Sequence, residues 1–389
     1  MNLSSTPVRV GLLTAALLPV VAACGSSSSS DKPAASAKSD GHSATVSITA
    51  AKGCAIDSTS FKAGGIDFKV SNKDATAISE VEVLAGDRIV GEKENLPPGF
   101  SGTFSITAGA GDYTLYCPGA SQEKTPLKVT GKAAAVDSDT ATLLKQASDG
   151  YAAYVSTQVG YLLDGVQKLS TALQGTDLAA AQAAYAKARP FYEKIEPVAE
   201  SFTVGKVNLD ANIDARANDV PASQFMGFHR IEKGLFADKS LTGLATYGAG
   251  LVANVEKLQK LTTGLTYQPS ELANGAVELL DEVATSKVTG EEERYSHIDM
   301  LDFANNDEGS EQAFAQLVPV LTKINPSLTT TIQDRFAALD ALVNNYRDPS
   351  QASGFVLYTT LTADDKRKLA AAVKAVSEPL SQVASKVAG

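Results

Sequence analysis

Histidine and cysteine are both scarce here, at three residues each in 389. With so few imidazoles no His-Glu-x-x-His pair occurs, which excludes the zinc-peptidase site built from two imidazoles and a general base. No Gly-x-Ser-x-Gly occurs either, so there is no nucleophile elbow. Positive charge is also short, with 34 Lys and Arg against 44 Asp and Glu and a formal net charge of −10. That balance argues against nucleic acid and against electrostatic docking on anionic lipid, while it permits a cation-binding surface. Beyond the first two dozen residues no run is long and apolar enough to cross a bilayer.

The N-terminus reads as an export leader. Arg9 supplies the positive region, Val10 to Val21 is almost wholly apolar, and the run closes on Val21-Ala22-Ala23-Cys24. A dozen or so apolar residues make a signal h-region rather than a spanning helix. Small residues ending in cysteine look like a bacterial lipobox, in which the Cys24 sulfur takes a diacylglyceryl group. Two acyl chains would then anchor the protein stably to the outer face of the cytoplasmic membrane. Residues 1–23 are thus a signal peptide. Residues 24–43, rich in Ser, form a tether in which His42 is a solvated linker residue.

The remainder is long enough for two domains, and two periods divide it. From Ala44 to Gly131 short alternating runs such as Thr45–Thr49, Ile66–Val70 and Ile78–Leu84 are punctuated by Gly64-Gly65, Pro97-Pro98-Gly99 and Gly109-Ala110-Gly111. That pattern predicts an all-β sandwich. A small sandwich with Cys54 near its first strand and Cys117 in Tyr116-Cys117-Pro118-Gly119 resembles a cupredoxin. A blue-copper centre needs two histidines and a thiolate, and no histidine lies between Gly53 and Phe228, so that centre is excluded. In an exported protein two such cysteines form a disulfide or ligate a metal, and the sequence leaves the choice open.

From residue 137 onward apolar residues recur at three and four, beginning with Leu143, Leu144, Ala147, Tyr151 and Val155. This predicts an all-α bundle over 137–389, opened by an Asp137 or Ser138 cap. Further helices are expected over about 177–203, 222–236, 241–263, 269–285, 290–303, 308–323, 327–346 and 363–388.

His229 and Glu232 stand three apart in Gly227-Phe-His-Arg-Ile-Glu232, so on a helix they share a face and can converge on one ion. Glu193 and Glu196 are also three apart. Asp210 and Asp214 lie in a polar connection leading toward His229, and the run from Glu291 to Asp299 adds carboxylates and His297. In the sandwich Glu80 and Glu82 share one strand face, and Glu92 and Glu94 follow a turn later. Each has a plain structural reading. Glu193 and Glu196 suit a wet helix face, Thr289 and Glu292 a capping box, His297 a hydrogen-bonded boundary position, and Glu80 and Glu82 a solvated strand face.

The segments Ala188-Arg-Pro-Phe-Tyr-Glu-Lys-Ile-Glu-Pro-Val-Ala-Glu200, Ile213-Asp-Ala-Arg216, Gly227-Phe-His-Arg-Ile-Glu232 and Thr289-Gly-Glu-Glu-Glu-Arg-Tyr-Ser-His297 resemble the imelysin-like family. The run Glu92-Lys-Glu-Asn-Leu-Pro-Pro-Gly-Phe-Ser101 is similar to the cupredoxin-like domain that precedes the helices in that family's iron-uptake lipoproteins. Together these cover nearly all of the mature chain. The resemblance implies an extracytoplasmic iron-binding component working beside a membrane permease and a haem-containing, dye-decolourising-type peroxidase. It places the family's His-x-x-Glu on His229 and Glu232, further acidic ligands on Glu193, Glu196 and Asp210, and another on the 291–293 run, at Glu292. It also implies a second metal site in the sandwich at Glu80 and Glu82, with Cys54 and Cys117 as ligands if they are not a disulfide.

The expectation is therefore a lipid-anchored, two-domain iron-binding protein that captures ferrous or ferric iron and passes it to a permease. Copper or zinc are possible competitors at a site of carboxylate oxygens and one imidazole nitrogen. The rival readings are a metal-dependent peptidase, a label the imelysin-like family has carried, and a metal-stabilised binding module for another ligand.

Overall fold

The computed structural model describes residues 41–202, 209–217, 220–285 and 287–388. The leader, Cys24 and nearly all of the tether lie outside them.

The first part is built of nine strands. They are β1 (Ser43–Thr49), β2 (Gly53–Ile56), β3 (Ser60–Lys62), β4 (Gly64–Asn72), β5 (Val81–Ala85), β6 (Arg88–Lys93), β7 (Ser101–Ala108), β8 (Gly111–Tyr116) and β9 (Lys124–Thr130). They form a four-stranded sheet in the order β2-β1-β4-β7 and a five-stranded sheet in the order β3-β9-β8-β5-β6. Val46, Ile48, Ile66, Phe68 and Val70 from the first meet Phe61, Val83, Leu115, Leu127 and Val129 from the second in one core. Alternation explains this sandwich, because every second residue of β4 is buried while Asp67 and Lys69 point outward. Cys54 of β2 and Cys117, just after β8, are joined by a disulfide that ties one sheet to the other. The thiols are therefore not ligands in this fold. His42 is not a solvated linker residue either, since its Nδ1 lies 2.8 Å from the Gly65 carbonyl.

The second part is built of helices, with an isolated β-bridge between Arg347 and Phe355 in a connection. Helix α1 (Ser138–Leu173) is capped by the Asp137 side chain, which accepts from Thr140 N–H. It is followed by α2 (Leu178–Glu193), α3 (Glu196–Glu200), α4 (Leu209–Ile213), α5 (Gly227–Glu232), α6 (Leu244–Thr262), α7 (Pro269–Thr285), α8 (Asp299–Ile324), α9 (Pro326–Val343), α10 (Ala363–Leu380) and α11 (Val383–Val387). A single apolar core runs through them. None of the described helices is long and apolar enough to cross a membrane.

Helix boundaries differ from the sequence reading in several places: the expected 222–236 helix starts at Gly227, and 363–388 divides into α10 and α11. Residues 290–298 are not helical. One helical bond forms there, from His297 N–H to the Glu293 carbonyl at 2.8 Å, and His297 at φ 59° then breaks the turn. The expected helices 290–303 and 308–323 become this turn followed by one continuous α8, so Thr289 and Glu292 form no capping box at a helix start. The stretch 177–203 divides after Glu193, ahead of Pro197 in α3.

Both parts belong to one compact unit. Asn274 Nδ2 of α7 donates to the Ser105 carbonyl at 2.9 Å, and Ile89 N–H donates to the Ser201 carbonyl at 3.1 Å. Arg88 pairs with Glu271 at 3.0 Å, and Lys93 pairs with Asp281 at 2.6 Å.

Candidate metal centre

His229 enters its helix over a constrained step. Gly227 has φ +78°, and a Cβ on it would stand 2.2 Å from the Ile213 carbonyl oxygen. Only glycine lets α5 start against the end of α4, and that approach carries His229 to Asp214.

The imidazole is 1 % exposed and faces carboxylates from both nitrogens. Nδ1 lies 3.1 Å from Glu232 Oε2, while Nε2 lies 3.3 Å from Glu292 Oε1 and 3.6 Å from Asp214 Oδ2. Glu232 is held in turn, its Oε1 accepting from Tyr295 and Ser296 N–H at 2.7 Å each. Burial works against a charged imidazole, but Asp214 above all, with Glu232 and Glu292, raises its pKa well above the ordinary value. A metal that takes Nε2 must therefore displace a proton.

Around this histidine carboxylates gather from distant segments. One oxygen from each of Glu193, Glu196, Asp214 and Glu292 lies within 4.8 Å of the others. Two smaller groups that include His229 meet the same criterion, Asp214-His229-Glu292 and His229-Glu232-Glu293. Two buried cations sit among them. Arg189 of α2 pairs with Glu193 and Asp214, with Glu293 at 3.1 Å, with Glu292 at 3.4 Å and with Asp302 at 3.5 Å. Lys287 donates to Glu193 Oε2 at 2.7 Å and to Glu196 Oε2 at 2.9 Å. Arg216 pairs with Glu292 from the rim at 2.7 Å.

These cations do not match the acids in number, and burial holds several of the carboxyl groups above their ordinary range. Burial pushes Glu193 up to about 7 even against Arg189 and Lys287. Asp302 and Glu293 are raised well above the carboxylate range, again by burial first. Asp214 runs the other way, to about 2, because Arg189 and His229 outweigh its burial. Neither oxygen of Asp302, a fully buried residue, has a hydrogen-bond donor among the described residues. Buried oxygens with few donors are costly, and the grouped oxygens of Glu193, Glu196, Asp214 and Glu292 beside one imidazole suit a hard to borderline metal ion. The residues present could hold an ion of that kind.

The structure brings together His229, Glu232, Glu193, Glu196 and Glu292. Asp210 is not in these groups, since its Oδ1 accepts from Tyr192 OH at 2.8 Å and Asp214, one turn on, takes the inner position. His297 also stands outside them. Arg189, Lys287 and Asp302 were missed in the sequence. Of these Arg189 left a trace, standing four residues before Glu193 on one helix face.

Glu80 and Glu82 are elsewhere, at the seam between sandwich and helices. Glu82 is 4 % exposed and lies opposite Glu92 in the β5–β6 pairing. Burial, then Glu80 and Glu94, raises Glu82 to about 8. Its Oε2 has no hydrogen-bond partner among the described residues. Glu92 and Glu94 face Glu278 of α7 across a cleft of about 640 Å³.

The sequence profile of the imelysin family, peptidase M75, matches residues 147–383. The chain is 36 % identical over 338 residues to the protein named "Iron uptake system component EfeO" in Escherichia coli K12, covering 85 % of this chain and 88 % of that protein. It shows the same identity and coverage to the proteins of that name in Shigella flexneri and in Escherichia coli O157:H7. Among solved structures, an iron-regulated protein A precursor from Parabacteroides distasonis superposes with a TM-score of 0.50 at 16 % identity, covering 65 % of this chain and 96 % of that one.

Proposed function

The chain belongs to the imelysin family and is of the EfeO type, and from that premise we propose that it is an extracytoplasmic iron-binding component of an iron-uptake system. The observation that carries this reading is the buried cage in which His229 Nε2 meets Asp214 and Glu292, beside Glu193 and Glu196. Glu232 orients the imidazole, the carboxylates carry most of the ion's charge, and the nitrogen favours a transition metal over calcium. Zinc or copper would compete through the same nitrogen.

Iron is cargo here. Cys24, in its lipobox, would hold the protein at the outer face of the cytoplasmic membrane, from which bound iron passes to a permease. A haem-containing, dye-decolourising-type peroxidase is the further partner that the family resemblance suggests. Domains over 44–131 and 137–389 divide the work, with the sandwich acids Glu80 and Glu82 as a second point of metal contact. A carrier is favoured over a peptidase because the pocket lined by Arg216, His229, Glu232, Glu292 and Tyr295 has no free volume for a peptide.

The test is titration of metal-free mature protein (residues 25–389) with ferrous iron under anaerobic conditions, and with ferric citrate, beside His229→Ala/Glu232→Ala. Micromolar or tighter binding that the double variant loses is expected. Binding that survives in the double variant would move the main site to the sandwich. No binding by either protein would sink the proposal.

A further inference from the structure

The carboxylate cage already contains a cation that belongs to the chain. The Lys287 side chain is 0 % exposed, and its Nζ donates to Glu193 Oε2 at 2.7 Å and Glu196 Oε2 at 2.9 Å. Those two residues belong to the four-carboxylate group beside His229. Withdrawing an ammonium from water costs several kcal/mol, which only close carboxylates offset, so Lys287 is there because the acids are.

We propose that Lys287 is a tethered stand-in for the cargo ion, seated on Glu193 and Glu196 in the ion-free protein and displaced outward onto Glu282 and Glu200 when a polyvalent cation enters. This rests on the iron-carrier reading and adds to it a device that selects by charge.

Three observations support displacement rather than a fixed structural role. Lys287 sits on a three-residue 3-10 turn, Lys287–Thr289, whereas Arg189 is fixed inside the 16-residue α2 and makes five ion pairs. A lysine ammonium is a compact charge on a flexible four-carbon stem and can leave its partners one at a time, unlike a guanidinium fork. A landing place is within reach. Glu282 Oε1 lies 3.7 Å from Nζ and its side chain is 21 % exposed, and one oxygen each from Glu196, Glu200 and Glu282 fall within 4.8 Å of one another.

Charge then decides which ions succeed. An ion bound through Glu193 Oε2 and Glu196 Oε2 would stand against the ammonium on the same two oxygens, and the two positive charges repel. Sodium or potassium would only exchange one unit charge for another, against a competitor that the backbone holds at high local concentration. A divalent or trivalent ion gains an extra charge in the cage, while the released ammonium keeps Glu282, already 3.7 Å from Nζ, as its partner and by its own charge favours the ionised form of that acid.

The experiment is amine-directed labelling of the full mature protein by reductive dimethylation, with Lys287 modification read by mass spectrometry. Manganese(II) serves as a redox-stable probe, ferrous iron is used anaerobically, and sodium is the control. Binding is followed in parallel by calorimetry. Lys287 is expected to be protected in metal-free protein and labelled at least tenfold faster at saturating manganese or iron, with no change in sodium. The Lys287→Met variant is expected to bind manganese at least tenfold more tightly and to melt at lower temperature than wild type without metal. If that variant does not fold, the wild-type labelling alone decides. Metal binding with Lys287 labelling unchanged overturns the displacement and leaves the carrier reading intact, as does weaker binding by a folded Lys287→Met. No metal binding by wild type overturns the carrier reading, and the displacement with it.

Discussion

Glu232 lies 3.1 Å from His229 Nδ1 and thereby fixes which imidazole nitrogen looks into the carboxylate cage. The glutamate cannot drift, because Tyr295 and Ser296 N–H hold its other oxygen. The two residues of the His-x-x-Glu thus divide the work, with the glutamate orienting and Nε2 facing Asp214 and Glu292. In Glu232→Gln a donor can replace an acceptor at Nδ1 and turn the tautomer. Iron affinity should fall about 10- to 100-fold while the fold survives. Glu232→Ala should in addition destabilise by about 2–3 kcal/mol, because two buried N–H groups lose a charged acceptor. Anaerobic calorimetry and thermal melts separate the two effects. Wild-type affinity in Glu232→Gln would remove the orienting role.

Arg189 is the hub on the other side of the cage. Five carboxylates pair with it and its side chain is fully buried. Removing one partner of a buried ionic network leaves uncompensated charge, so Arg189→Met should lose about 3–5 kcal/mol in metal-free protein. Divalent cation should restore part of that loss, since the freed carboxylates gain a replacement counter-charge. A denaturant series with and without manganese measures both. Wild-type stability in metal-free Arg189→Met would mean that the surrounding acids are neutral without it.

The disulfide gives a prediction confined to the sandwich. Closing a separation of 63 residues between Cys54 and Cys117 is worth about 4 kcal/mol on chain-entropy grounds. Cys54→Ser/Cys117→Ser should therefore lower the melting temperature and leave iron binding at His229 within about twofold. Abolished binding in a folded double variant would show that the helical site depends on the sandwich.

Much of the architecture was legible because it is written in local periods. The burial of β4 alternates as its sequence does, and Asp137 caps α1 where the polar-to-periodic change fell. His229 and Glu232 were legible because their spacing is itself the geometry. Convergence in space was not. Asp210 and Asp214 are one turn apart, and only the approach of Gly227 to Ile213 decides that Asp214 faces His229. The acidic run at 291–293 suits a helix start, yet left-handed His297 keeps it a turn and so aims Glu292 inward. Lys287 carries no local signal, since a lysine after a helix reads as solvated until its carboxylates are placed around it.

The seam between sandwich and helices should make stability depend on pH in a direction opposite to that of Asp214. Burial first, and neighbouring carboxylates second, raise Glu82 to about 8 and Glu94 to about 7, from an ordinary 4.5. Glu278 rises to about 8 for the same reasons, with Glu94 its leading neighbour. Between pH 4.5 and 8 the folded protein therefore holds protons that the unfolded chain has released, so stability falls as pH rises through that window. Asp214, lowered to about 2, contributes stability that is present above pH 4 and lost below it. The two trends leave metal-free protein most stable near pH 5, with a melting temperature that declines toward pH 8.5. Glu82→Gln removes one of the acids that must ionise without a partner. It should flatten the decline and stabilise the protein by on the order of 1–3 kcal/mol at pH 8, one pKa unit being worth about 1.4 kcal/mol. Divalent cation should flatten the wild-type curve in the same way if the seam acids can share an ion. Melting curves from pH 4 to 9 for both proteins, with and without manganese, provide the check. A wild-type profile flat from pH 5 to 8.5 and matched by Glu82→Gln would show that these carboxylates ionise at no cost, and that the seam is open to water.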